Sequence, residues 1–592
     1  MAAWGLAVGA APRDGALGAE AEAAVAPHPR LYFDAAELAA ARAARDDDPV
    51  RARIWENLIA SAEWCRAQPV RREWIATRAD DPQYENLYDR FYAAMHDTAI
   101  VEHLALASAL HAPEADPYFP AARAWALGAA EVWRNEAGNA PDAGKAYAVL
   151  RVTKALAVAY DALYVRLSAE ERDRIRRTLT EVGSAYAQFF QQSAVAGEGY
   201  NKHHGSVEAA PLGIVALAIL DEEPAARQWL ELAIQKHVDY LLPHALTPSG
   251  TSDQSSNFWA STLQYRILFF EPLRRATGRD LLREFPDALP GNMGLAAVAA
   301  GQPRELRYNE DQRSVLFGPS YGQINYWSPV LLYLARHHRR STFQHLALWD
   351  ESLGSIQRTR YVTPVRKEEL LFGFGPYAYL WYDPSVPAVA EDDAPLSFAF
   401  PEPEVDEAYL RGSYAPGGIV LGMKKGGLIV HAGGRPVLVD QLPVADVNAP
   451  APAAAGTVLE EQPGRAVLQT DGPRALGLGR QRIELQRPGS LRIERETAQP
   501  LSWYFHGDPR REGNAWIWAD GTRLEVRRGE IVGVVEDGYR ETKKHYGGMQ
   551  FADPHPFVYP VTTVRPVAGR IDLEVALPGG ARATTGPEST EP

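Results

Sequence analysis

The stretch Gly418-Ile-Val-Leu-Gly-Met-Lys-Lys-Gly-Gly-Leu-Ile-Val-His-Ala-Gly-Gly-Arg-Pro-Val-Leu-Val-Asp440 holds three short aliphatic, β-branched runs parted by glycine pairs. Such runs bounded by Gly turns predict consecutive antiparallel strands. The same pattern continues toward the C-terminus. Leu491-Arg-Ile-Glu-Arg495, Ser502-Trp-Tyr-Phe505, Arg523-Leu-Glu-Val526, Ile531-Val-Gly-Val-Val535 and Gly569-Arg-Ile-Asp-Leu-Glu-Val575 alternate with Gly, Pro and Asp turns. Residues 396–580 are therefore expected to form an antiparallel β-sandwich. Residues 443–456, rich in Ala and Pro, read as a loop within it, and 581–592 as a polar tail.

Toward the N-terminus the period changes. Between Leu31 and about Pro387, apolar residues recur at three- and four-residue spacing, the signature of amphipathic helices. The strongest helical runs are Val50–Ala67, Leu87–Ala112, Pro120–Ala137, Ala146–Arg166, Ala169–Gln191, Ser206–Leu220, Pro224–Leu242, Phe258–Thr277 and Ile324–His338. Asp34 followed by Glu37, and Ser168 followed by Glu171, are capping boxes. No strand is expected here. Helices of this kind need pairs packed around one centre, and the absence of a 34- or 40-residue repeat disfavours common solenoids. The prediction is an incomplete α/α toroid over 28–395, preceded by an Ala/Gly-rich flexible leader or remnant signal over 1–27.

The chain has 592 residues, consistent with more than one domain at roughly 100–200 residues each, and a formal net charge of -14. That acidity argues against a general nucleic-acid binder, whose affinity rests on excess Lys and Arg. A single cysteine, Cys65, excludes an intrachain disulfide framework and Cys-based zinc clusters. No stretch approaches the roughly 20 apolar residues of a membrane span. There is no Gly-rich phosphate fingerprint and no HExxH.

Two segments concentrate chemistry. Gly199-Tyr-Asn-Lys-His-His-Gly-Ser206 places an amide, an ammonium and two imidazoles before an apolar helix. Unpaired N–H groups at a helix start favour anions, and imidazole suits proton transfer near neutral pH. The bland alternative is that His203 and His204 only cap the helix. The second segment, Thr247 to Tyr265, is a polar loop running into a helix. Trp259, Leu263, Ile267 and Phe270 form its apolar stripe, while Asn257, Ser261, Gln264 and Tyr265 lie off it. A tyrosine so placed most often packs with its hydroxyl satisfied. Asn309-Glu-Asp-Gln-Arg313, Asp253 and Glu208 could supply carboxylates for hydrolysis. Arg336-His-His-Arg-Arg340 completes a helix C-terminus, and His506 is a further candidate in the sandwich.

The order of these motifs resembles the heparinase II/III and alginate lyase superfamily. The resemblance rests on His28-Pro-Arg-Leu-Tyr-Phe-Asp34, on Ala157-Val-Ala-Tyr-Asp-Ala-Leu-Tyr164 with Leu167-Ser-Ala-Glu-Glu-Arg172, and on Asn201-Lys-His203. It rests also on Gly250…Phe258-Trp259…Tyr265…Glu271-Pro-Leu…Ala276-Thr-Gly278. It covers roughly residues 28–440. It implies β-elimination on a uronic-acid-containing glycan, with Tyr265 and His203 as acid–base residues and Asn201 and Lys202 neutralising the substrate carboxylate. His204, Asn257, Trp259 and His431 become candidate substrate contacts. The sequence departs from the pattern in three places. Lys202 replaces the second Asn. Phe258 stands where the alginate-lyase branch places an Arg. Met423-Lys-Lys-Gly-Gly427 replaces an upstream His pair. Most zinc ligands of some relatives are thereby lost, so no metal or other cofactor is expected. The expected partner is an anionic oligo- or polysaccharide, with no nucleic acid and no membrane span. A secreted or periplasmic location is expected, with an atypical leader, and a cytoplasmic one is the alternative. A hydrolase, a uronyl C5-epimerase and a non-catalytic glycan-binding protein are the competing readings.

Overall fold

The computed structural model describes residues 25–71, 87–136, 143–192, 202–243, 255–285, 328–362, 369–392, 394–402, 405–441, 455–472, 477–540, 550–551 and 558–579. Within some helix and strand ends, including 202–204 and 255–261, only the backbone is described. The leader before residue 25, the tail from 580, Asn201, Asp253 and the Asn309–Arg313 run lie outside the described residues.

The first half is helical. Its helices are α1 (Ala35–Ala43), α2 (Pro49–Arg66), α3 (Leu87–Leu110), α4 (Phe119–Glu136), α5 (Ala143–Leu163), α6 (Ala169–Gln192), α7 (Lys202–Ala218), α8 (Ala226–Lys236) and α9 (Ser255–Thr277). The short α10 (Leu281–Glu284), then α11 (Ser328–His338), α12 (Ser341–Ala347) and α13 (Gly375–Trp381) follow. Both capping boxes form. Asp34 Oδ1 accepts from Glu37 N at 2.8 Å while Glu37 Oε2 accepts from Asp34 N at 2.8 Å, and Ser168 and Glu171 repeat the exchange. Gly278, at φ 76°, ends α9 with its N–H on Arg274 O, the left-handed stop that glycine adopts without strain.

The odd-numbered helices form an inner row: α3 packs on α5, α5 on α7, and α7 on α9. Helix α9 meets α11, α11 meets α13, and α13 returns to α3. Helices α4, α6 and α8 form an outer row. This is the toroid. The α7–α9 seam is tight because Gly213 carries no side chain: a Cβ there would lie 2.2 Å from the Phe269 ring.

One feature of this half departs from expectation. β1 (Gln357–Val362) and β2 (Glu369–Phe372) pair antiparallel inside the helical half. A two-stranded hairpin is marginal alone. Here β2 packs on α3, and a two-residue strand from the sandwich, Gln550–Phe551, extends the sheet at β1.

Among the described residues, the second half forms two eight-stranded antiparallel sheets. The sheet nearer the toroid includes β3 (Ser397–Phe400), β4 (Glu407–Arg411), β5 (Val420–Lys424), β6 (Gly427–Ala432) and β7 (Arg435–Asp440). The β5–β6 hairpin turns on Lys425 (φ 48°) and Gly426 (φ 83°), both left-handed as a two-residue turn of this twist requires. Leu428, Val430 and Ala432 point into the sandwich core. Ile429, Tyr409 and Val420 join the toroid's core instead, so one hydrophobic layer welds the sheet to the helices. No described helix is long and apolar enough to cross a membrane.

Candidate active site

The inner row brings a buried polar cluster to the centre of the toroid. Lys154 on α5 pairs with Glu102 on α3, Nζ to Oε1 at 2.5 Å, with side chains only 5% and 3% exposed. Removing two charges from water costs several kcal/mol per ion unless geometry and further hydrogen bonds repay it, so such a pair marks a constrained place. The ammonium lies 5.2 Å from the centroid of Phe374 and 5.8 Å from that of Tyr265. Those two rings meet edge to face at 5.9 Å. Glu102 Oε2 accepts from the Tyr377 hydroxyl at 3.3 Å. Tyr377 packs edge-on against Tyr32 at 5.0 Å, and Tyr32 donates to Leu268 O at 2.8 Å. Burial, reinforced by the Glu102 charge, pushes the Tyr32 and Tyr377 phenols well above the usual range.

Tyr265 is buried in this cluster rather than open to solvent. Its off-stripe position therefore points it at the neighbouring inner helices, and the helix buries more than the one face its period suggests. Next to it, Arg266 reaches back to α7: Nε donates to Ser206 Oγ at 3.2 Å and a terminal nitrogen to Leu241 O at 3.1 Å. Full burial pushes this guanidinium down to about 9. Ser206 stands one helical turn from Lys202 and His203, so the first turn of α7 lies beside the Tyr265–Arg266 segment of α9. Helix α7 begins at Lys202, earlier than the expected start near 206, which moves Lys202, His203 and His204 from a loop into that first turn. Their side chains, and those of Asn257 and Trp259, lie outside the described set.

Strand alternation carries His431 to the toroid side of its sheet, where it is fully buried. Burial pushes its imidazole down to about 3, so it is neutral at ordinary pH. His506 is likewise buried, pushed down to about 3, and stacked on Tyr559 at 4.0 Å. Arg336, His337 and His338 form the last turn of α11, the cation-favoured end of a helix dipole.

Sequence reasoning missed Lys154 and Glu102. Each is a lone charge in an otherwise uncharged run, Ala155 to Tyr160 after one and Ala99 to Val101 before the other. A charge set against such a local apolar run is the one hint of burial that the sequence holds for them.

A second cluster ties the N-terminal segment down. Asp161 accepts from the backbone N–H groups of Arg30 and Leu31 and from His28 Nδ1. His28 Nε2 faces Glu222 Oε1 at 3.3 Å, Tyr160 donates to Glu222, and Arg30 pairs with Asp221 at 2.6 Å. Donor atoms of His28, Asp221 and Glu222 lie within 4.8 Å of one another. Each already holds a hydrogen-bond or ion-pair partner, and the cluster acts as an anchor joining His28–Asp34 to α5 and to the end of α7.

A helical toroid followed by a two-sheet antiparallel sandwich has a counterpart among solved structures. The fold is that of Heparinase III. That structure superposes with a TM-score of 0.52 at 10% identity, covering 89% of this chain and 85% of the other. A heparan sulfate lyase HepC mutant from Pedobacter heparinus aligns over 94% of this chain and 93% of its own, at 14% identity and a TM-score of 0.48. No family model and no curated protein sequence matches the chain. The toroid-plus-sandwich architecture expected of the heparinase II/III-like lyases is thus present, including the strands expected after residue 396.

Proposed function

We propose that the protein is a polysaccharide lyase that cleaves a uronic-acid-containing glycan by β-elimination. The observation that carries this reading is Tyr265: within a fold shared with Heparinase III, it sits among the inner helices with an ammonium facing its ring. Elimination needs three things from the chain. Lys202, in the first turn of α7, and its sequence neighbour Asn201 neutralise the C5 carboxylate so that the C5 proton becomes acidic; preorganised electrostatics of this kind supplies much of the rate enhancement in many enzymes. The Tyr265 phenolate, with His203 as the alternative base, takes that proton. The C5–H electron pair becomes the C4–C5 double bond, the C4–O4 bond breaks, and the phenol returns its proton to O4. Protons and electrons balance without an external oxidant or a cofactor. His204, Asn257 and Trp259 are assigned to holding the sugar, and the anionic glycan is the proposed partner.

The test is incubation with a panel of uronate polymers, including heparan sulfate and alginate, following ultraviolet absorbance and reducing ends together. Elimination raises both, because only it creates a conjugated double bond. Reducing ends without absorbance would establish a hydrolase, exchange at C5 without cleavage an epimerase, and binding without change a glycan-binding protein.

A further inference from the structure

Three buried phenols surround one ion pair, and the pair is polarised. Its carboxylate end, Glu102, accepts from Tyr377, and its charge, added to burial, keeps Tyr377 and Tyr32 as neutral phenols. Its ammonium end, Lys154, is the end that lies over the Tyr265 ring.

We propose that Lys154, anchored by Glu102, is the positioning residue that makes Tyr265, of these three phenols, the one able to part with its proton. This rests on the reading of Tyr265 as the acid–base residue, and it adds the group that prepares it. Lys154 acts through Tyr265 and need not touch substrate. Phe374, edge-on to Tyr265 and under the same ammonium, fixes the ring and keeps water from screening the charge. A cation in a dry site acts on a neighbour far more strongly than one in water.

Two measurements on the full chain test this. The first is the pH–rate profile of Lys154→Met, Lys154→Arg and wild type. Lys154→Met is expected to lose at least about tenfold in rate near neutral pH, with the acid limb moved to higher pH. Lys154→Arg, which keeps the charge, is expected to restore the wild-type limb. The second needs no activity. The ultraviolet difference titration of wild type against Tyr265→Phe isolates one phenol, and the same difference in a Lys154→Met background is expected to titrate at higher pH. Should Lys154→Met not fold, Lys154→Met/Glu102→Gln removes both charges together and is expected to show a smaller upward shift, because loss of the Glu102 carboxylate offsets part of the effect. An unchanged titration in a folded variant overturns the proposal. A fully active Tyr265→Phe enzyme overturns the lyase reading instead, while the titration still decides whether Lys154 acts on this phenol.

Discussion

Asp161 holds His28: the Nδ1 nitrogen of His28 lies 2.6 Å from Asp161 Oδ1, although 133 residues separate them. The same carboxylate receives the backbone N–H groups of Arg30 and Leu31. The opening His28-Pro-Arg-Leu segment and the Tyr160-Asp161 pair of α5 are thus two halves of one anchor. Asp161→Ala would leave two buried N–H groups and an imidazole without their acceptor. At about 1–3 kcal/mol for each stranded group, it is expected to cost roughly 3 kcal/mol or more, read as a lowered denaturation midpoint at unchanged m-value.

The anchor is pH-sensitive, with a defined sign. Burial pushes the His28 imidazole down, but its hydrogen bonds to Asp161 and Glu222 and the Asp161 charge outweigh burial and leave it raised. Donating from both ring nitrogens also requires the protonated form. A raised folded-state pKa stabilises fully below the unfolded value of about 6.5, and the gain is lost as pH rises through the folded-state value. The gap in melting temperature between wild type and His28→Gln is therefore expected to be wider at about pH 6 than at about pH 9. A gap independent of pH would refute the imidazolium clamp.

Gly213→Ala is expected to destabilise the toroid. Its Cβ would fall 2.2 Å from the buried Phe269 ring, and overpacking of this kind costs about 1–3 kcal/mol. The denaturation midpoint checks this, and Phe269→Leu in the same chain is expected to recover part of the loss by vacating the space.

Tyr265→Phe separates chemistry from packing. If the hydroxyl is the acid–base group, turnover on the cleaved glycan falls roughly 10²–10⁴-fold. Stability falls by only about 1 kcal/mol, the worth of one hydrogen bond. Wild-type turnover in the variant would end the assignment.

Lys202→Ala is expected to depress cleavage of uronate polymers more than removal of an exposed lysine elsewhere does. Added salt should reproduce little of that loss in the wild type, because a desolvated contact is screened less than an exposed one. Equal sensitivity to salt and to the substitution would make Lys202 a general surface charge.

Local rules made much of the architecture legible in the sequence. The change from three-and-four spacing to alternation located the switch to strands near residue 396, because side-chain period follows directly from backbone geometry. The capping boxes at Asp34 and Ser168 formed as read, since a cap involves only a few neighbouring residues. The β1–β2 hairpin escaped, because its stability comes from α3 and from a strand nearly 190 residues later rather than from its own short runs. The start of α7 at Lys202 escaped for a related reason: polar residues read as loop when the neighbouring α5 and α9 that support the turn cannot be seen.

For the site, the sequence by itself determined which residue types could do the chemistry: the Asn-Lys-His segment and Tyr265 stand out through polarity, spacing and motif order. Only the tertiary structure decided what surrounds them. Lys154 and Glu102 lie 52 residues apart on different helices, and the apolar run beside each hints at burial without showing that the two meet. Their meaning comes from burial and from the direction of the pair, ammonium toward Tyr265 and carboxylate toward Tyr377. His431 shows the converse: its residue type suggested a cleft, while packing of the sheet on the toroid enclosed it completely. Periodicity and capping are properties of neighbouring residues, so sequence carries them. Dielectric environment and charge orientation arise only when distant segments exclude water from one another, so packing alone sets them.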